Sequence, residues 1–253
     1  MATRDEILRE LGLAPTWRLR SRAHAGEALP AEVPEADVVV PAGRVQPLRP
    51  AGEAGERLAR IAALEWSALA ADIDACNACG LCRTRNRSVP GVGDPRARWL
   101  LVGEAPGAEE DARGEPFVGQ AGKLLDNMLA ALGASRREGV YIANVLKCRP
   151  PGNRTPEPAE AEACRPYLER QIALIGPQLI VALGRSAASL LLGTDATIAS
   201  LRGRVHRWRS TPLVVTYHPA YLLRNLPDKA KAWEDLLLAR QVAAPDTRTS
   251  SAP

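Results

Sequence analysis

Four short apolar runs constrain this 253-residue chain more than any other feature: Trp99 to Gly103, Val140 to Val145, Leu179 to Leu183 and Leu213 to Tyr217. Each has the length of a strand and is nearly continuous in apolar residues. A strand with one solvated face alternates polar and apolar residues, and these do not, so the sheet they form is covered on both faces. Helix-like stretches fall between and around them, at Gln120 to Leu132, Pro156 to Ile175, Arg185 to Leu192 and Asp228 to Gln241. Strands alternating with helices imply a three-layer α/β/α sandwich around a central, mostly parallel four-stranded sheet. In such folds ligands collect beyond the carboxyl ends of the strands.

The flanks read differently. Glu56 to Cys76 reads as one helix carrying Leu58, Ile61, Leu64 and Leu69 on one side. In residues 23–55, Pro30, Pro34, Pro41, Pro47 and Pro50 lie among Ala, Gly and Glu, with few large apolar groups to offset the ordering entropy. That stretch reads as a flexible linker. Residues 1–22 hold a short helix, with Ile7, Leu8 and Leu11 at helical spacing and Pro15 as its stop. It suits a docking peptide for another protein. The domain is expected over 56–243, with a disordered tail at 244–253.

Charges interrupt the N-terminus and no eighteen apolar residues run together, so neither a secretory leader nor a membrane span is expected. The 33 Lys and Arg against 29 Asp and Glu leave a net charge of +4, which is compatible with a polyanionic partner and does not demand one. A cytoplasmic monomer is the expectation. In a reducing cytosol, five cysteines bind metal or act chemically rather than pair as disulfides. Cys79-Gly-Leu-Cys82 brings two thiolates together, Cys148 follows the second strand, and Cys164 sits on the next helix. Four thiolates hold either zinc or an iron–sulfur centre. The fifth, Cys76, reads as a small buried apolar residue.

Each strand end carries an unusual sequence. After the first come Gly103-Glu104-Ala105-Pro106-Gly107 and Glu110, where glycine lets the backbone approach a ligand and carboxylates reach the sheet's mouth. Phe117, the one phenylalanine of the chain, lies in a Gly/Pro loop and is suited to stacking on a base. Asn144 can offer a donor and an acceptor to one planar edge. His218 opens His-Pro-Ala-Tyr-Leu-Leu-Arg.

Together, GEAPG, the PFVG loop, YIAN, KCRPPGNRTP and HPAYLLR resemble the motif set of the family 4 uracil-DNA glycosylases, from about Cys79 to Gln241. The resemblance implies that uracil-containing DNA is the substrate and that the product is an abasic site, the first step of base excision repair. It also implies a 4Fe-4S cluster on Cys79, Cys82, Cys148 and Cys164. Within it, Phe117 faces the flipped uracil, Gly103 and Ala105 line its site, and Asn144 meets its Watson–Crick edge. His218 is the donor to the departing base, and Glu104 and Glu110 are the carboxylates near the attacking water. The aspartate that other uracil glycosylases carry in this loop is replaced by Ala105. Leu222 or Leu223 fills the gap left in the duplex, and Arg224 meets a phosphate. Arg83, Arg85 and Arg87, with Arg202, Arg204, Arg207 and Arg209, are further backbone contacts. The N-terminal helix would then dock a replication or repair protein, with the enzyme at the bacterial nucleoid. A covalent uracil-trapping relative and a non-catalytic zinc module are the competing readings. The trapping group carries a histidine after the second strand, and Lys147 to Arg154 contains none.

Overall fold

The computed structural model describes residues 51–243. The expected docking helix, the linker up to residue 50 and the C-terminal tail lie outside the described residues.

The helix expected over 56–76 begins earlier and is broken in two, α1 (Ala51–Ala63) and α2 (Trp66–Asp74). Residues 51–55, read as linker, therefore belong to a helix. At the break, the Leu64 carbonyl accepts a 2.7 Å bond from Arg170 Nε, and Trp66 turns edge-on to Tyr141, 5.2 Å between ring centres. Ile61, Leu69 and Ile73 pack against Tyr167, whereas Leu58 is 51% exposed and lies off that buried side.

Six strands follow: β1 (Val92–Gly93), β2 (Trp99–Gly103), β3 (Val140–Asn144), β4 (Leu179–Leu183), β5 (Val205–Trp208) and β6 (Thr211–Thr216). They form one sheet in the order β1-β3-β2-β4-β6-β5. The inner four are parallel, as the apolar runs predict. The sheet is six-stranded rather than four-stranded because β1 and β5 add antiparallel edges. Both escape pattern reading for physical reasons. β1 has two residues, and β5 (Val-His-Arg-Trp) is an edge strand with no buried residue to mark it.

The helices are α3 (Ala108–Arg113), α4 (Gln120–Ala131), α5 (Pro158–Ile175), α6 (Arg185–Leu192), α7 (Ile198–Leu201), α8 (Pro219–Leu222) and α9 (Asp228–Ala243). Alternate strand residues feed opposite layers. Leu101, Ile142, Val181 and Val214 pack with Leu125 and Leu129 of α4 and Ala239 of α9. Leu100, Val102, Ile180 and Val215 pack with Leu168 and Ile172 of α5 and Ala187 of α6. From β2 the chain passes to β3 on one side and then crosses to β4 on the other. This reversal of direction places a binding crevice at the carboxyl end of β2.

One ion pair closes the α9 layer. Asp235 is fully buried, accepts from Arg202 Nε and the Gly203 N–H at 3.1 Å each, and is pushed toward a higher pKa by burial. Arg202 also lies 5.7 Å over the Tyr217 ring, so this arginine, expected on DNA, is committed inside the fold. Removing one partner of a buried pair strands the other. Asp235→Ala should therefore cost about 3 kcal/mol, seen as a lower denaturation midpoint at unchanged m-value.

Candidate active site and cysteine centre

A cavity of about 470 Å³ opens at the carboxyl ends of β2, β3 and β6. Glu104, Glu110, Phe117, Asn144, His218 and Arg224 all reach it, and Ala105 forms part of its wall. The topology thus brings together side chains separated by more than a hundred residues of sequence.

Gly103 is what allows them to meet. A Cβ there would lie 2.8 Å from Phe117 Cζ and closer still to Asn144 Oδ1. Asn144 is 2% exposed, and its Oδ1 has no hydrogen-bond partner among the described residues. A buried acceptor left unpaired is costly and points to a donor supplied from outside.

Phe117 is also buried, and its backbone is left-handed at φ 55°, an unfavourable conformation for a bulky residue. Three devices hold it. Gly122 of α4 lies so close that a Cβ there would overlap the Phe117 carbonyl. Arg136 donates to that carbonyl at 2.9 Å and to Pro116 O at 3.3 Å. Glu110 takes the N–H of Gly107 at 3.1 Å, of Val118 at 3.0 Å and of Gly119 at 3.4 Å. The Glu110 carboxylate is therefore the clasp between the two loops. Glu104 has no hydrogen-bonded side-chain partner among the described residues and is the carboxylate left open to the cavity.

His218 caps α8, its Nδ1 accepting the Ala220 N–H at 3.1 Å. An acceptor at Nδ1 fixes the neutral tautomer with the proton on Nε2. The ring stacks on Phe117, 5.4 Å between centres at 29°. Surrounding protein pushes its pKa down to about 4, Arg224 helps, and Glu110 opposes. Close by, Leu222 is 1% exposed and Leu223 is 41% exposed. Of these two, Leu223 is the one at the surface.

The cysteines gather behind β3. Cys148 accepts a 2.9 Å bond from Arg85 Nη1, Cys164 accepts the Lys147 backbone N–H at 3.3 Å, and Cys76 lies 3.7 Å from Arg57 Nη2. Burial pushes the thiols of Cys79 and Cys148 up, and the protein packed around Cys164 pushes it to about 12. Cys76 goes the other way: against its burial penalty, the Ala78 N–H, Tyr167 and Arg57 favour its thiolate. It is partly exposed rather than buried, and its charge is felt at Cys79, Cys148 and Cys164. Cys82 is felt by Cys79 and Arg85. The overlapping spacing Cys76-x-x-Cys79-x-x-Cys82 is the sequence signal that Cys76 belongs to this group. No three of the described His, Cys, Asp or Glu side chains converge on the position of a single ion.

Residues 90–237 match the model of the uracil DNA glycosylase superfamily. The type-4 uracil-DNA glycosylase of Archaeoglobus fulgidus is 49% identical over 160 residues, 60% of this chain and 80% of that protein. That of Thermotoga maritima is 49% identical over 152 residues, 59% of this chain and 79% of that protein. A type-5 enzyme of Thermus thermophilus is 42% identical over 120 residues, 42% of this chain and 54% of that protein. The chain belongs to the uracil DNA glycosylase superfamily.

Within this superfamily domain the basic residues separate by partner. Arg85 is held by Cys148 and the Asp74 carbonyl, Arg204 by Ser200 O, and Arg209 by Glu169 and the Trp208 ring. The side chains of Arg83, Arg87 and Arg224 have no hydrogen-bonded or ion-paired partner among the described residues. No described helix is long and apolar enough to cross a membrane.

His218 supplies a direct check. Between its folded value of about 4 and its ordinary 6.5, the unfolded chain holds the extra proton. Stability should therefore fall as pH drops through that window, by an amount that His218→Gln removes. In an NMR pH titration the His218 ring signals should move near pH 4, and a midpoint near 6.5 would show a solvated ring.

Proposed function

We propose that this chain removes uracil from DNA by hydrolysing its N-glycosidic bond, the activity named in its type-4 relatives. The observation that carries the reading is the orphaned Asn144 Oδ1, buried at the floor of a cavity shared with a stacked aromatic and a neutral imidazole donor. A stacked, paired base cannot reach such a floor, so the nucleotide must leave the duplex first. Phe117 takes the base face, and its strained loop is already in place before substrate arrives. Asn144 Oδ1 accepts the pyrimidine N3–H while the side-chain amide can donate to O4.

Bond cleavage leaves negative charge on the base. His218 Nε2–H donates to the developing oxyanion without giving up a net charge to the pocket, stabilisation that exists only as the charge forms. Glu104 orients the attacking water or faces the sugar cation, and Glu110 positions both loops. Arg224 and the exposed Leu223 face the DNA, Arg224 for phosphate and Leu223 as the apolar wedge. Leu222 stays in the core.

The thiols suit an iron–sulfur centre. N–H donors on cysteine sulfurs and nearby cations, here Arg85, Lys147 and Arg57, are the groups that stabilise a bound cluster's negative charge. Cys79, Cys148 and Cys164 would hold a 4Fe-4S cluster, and Cys76, which packs with Cys164 against the apolar cluster around Tyr167 and has Arg57 beside its sulfur, is favoured over the expected Cys82 as fourth ligand. When bound, the cluster supplies a cross-link between the loops around β3. The expected result is brown protein containing iron and sulfide, depleted by Cys76→Ser and retained by Cys82→Ser. Colourless protein containing zinc would overturn this assignment.

The decisive assay is incubation with a uracil-containing oligonucleotide, then alkali. Scission is expected at uracil alone, and His218→Ala should slow it by about 10²–10³-fold. An intact oligonucleotide after incubation with the wild type ends the proposal.

A further inference from the structure

Among the described residues one lysine is buried, and its charge beside Cys148 and Cys164 does not explain where its side-chain hydrogen bonds go. Lys147 is 1% exposed. Its Nζ donates to the Asn144 carbonyl at 2.7 Å and to Gln171 Oε1 at 2.6 Å. Its backbone N–H donates to Cys164 Sγ, and its carbonyl accepts the Val89 N–H at 2.8 Å. Gln171 in turn donates to the Pro90 carbonyl at 2.8 Å. The cysteine centre favours an ammonium here, but the two direct partners of Nζ are neutral amide oxygens, and an apolar side chain of that length would pack without the desolvation penalty. The lysine must therefore do something that packing does not.

Its task lies at Asn144. The Asn144 amide oxygen has no partner, so nothing holds it at the tip of the side chain. What fixes it is the backbone. On one side that backbone is registered against Gly103 of β2. On the other its carbonyl is gripped by Lys147 Nζ. Lys147 thus touches the cysteine centre through its main chain and the pocket floor through its side chain.

We propose that Lys147 is a positioning residue, which fixes the Asn144 amide for the pyrimidine edge and ties that position to the cysteine centre through Cys164. The inference rests on the uracil-excision reading above. It predicts that Asn144 loses precision when Lys147 loses its donors, even while the centre stays loaded.

The test uses the full-length, iron-loaded protein as wild type, Lys147→Met and Lys147→Gln. Met keeps the volume and removes every donor, whereas Gln keeps an N–H donor on a shorter stem. Iron per chain, single-turnover rate on a uracil oligonucleotide, KM and inhibition by free uracil are measured together. Lys147→Met should keep its iron, lose about 10–100-fold in single-turnover rate, as an ångström-scale misplacement does, and need about tenfold more free uracil for inhibition. Lys147→Gln should recover part of both. Free-uracil inhibition reports on the base-reading contact, which a merely structural role would leave unchanged in the folded fraction. Wild-type values for rate and inhibition in Lys147→Met overturn the inference and leave the excision reading standing. A rate that falls only in proportion to iron overturns it as well, making Lys147 a support for the centre alone. Loss of soluble protein in both variants would make Lys147 a folding residue and likewise overturn the inference. A wild type that leaves uracil in place overturns the excision reading first, and this inference with it.

Discussion

The site depends on an atom that is missing. Without a Cβ at Gly103, the Asn144 amide and the edge of Phe117 occupy the space where a side chain would stand. Gly103 and Asn144 are the last registered pair of β2 and β3. Beyond them the Val145 and Leu146 N–H groups still bond the Gly103 and Glu104 carbonyls, at 2.9 and 3.1 Å. Parallel pairing thus continues past the strands and locks the acidic loop to the loop bearing Lys147 and Cys148. A larger residue at 103 would separate floor from wall, whatever its polarity.

The second constraint is strain. Phe117 adopts a backbone conformation it does not prefer, and the fold holds it there by a clasp (Glu110), a strap (Arg136) and a gap (Gly122). None of the three needs to touch a substrate. Their common effect is that the aromatic face is held in place before any ligand enters the cavity, so binding does not have to order it. Glu110, expected beside the water, is committed to three backbone N–H groups, which leaves Glu104 as the open carboxylate.

Much of this is legible in the sequence. The inner strands are long, apolar and buried on both faces, so local pattern and tertiary environment agree, and β2 and β4 begin and end where the runs do. Phe117, Asn144 and His218 stand out because each is a residue type out of place in its segment. What is not legible depends on distant partners. Leu58 follows the helical stripe, yet it stays half exposed while Ile61, three residues on, is buried against Tyr167. Arg202 looks like any exposed cation until Asp235, from another element, faces it. Cys76 looks superfluous beside a complete CxxC, and only the folded arrangement brings its charge to bear on Cys148 and Cys164. Lys147 sits in a run of motif residues, where its burial leaves no local mark.

The same partner logic bears on how this chain meets DNA. A net charge of +4 spread evenly would give a weak field. Here several arginines are neutralised within the protein: Arg202 by Asp235, Arg136 by Asp126 and Glu115, Arg154 by Glu157 and Glu160. Attraction to phosphate then falls to the unpaired few, and Arg224 is one of them at the mouth of the cavity. Its charge also disfavours a proton on His218, so the group that would bind the backbone helps to keep the donor neutral. A phosphate settling on Arg224 would weaken that push without removing the desolvation that dominates it. The imidazole would therefore stay neutral throughout, donating from Nε2 at each stage from empty pocket to departing base.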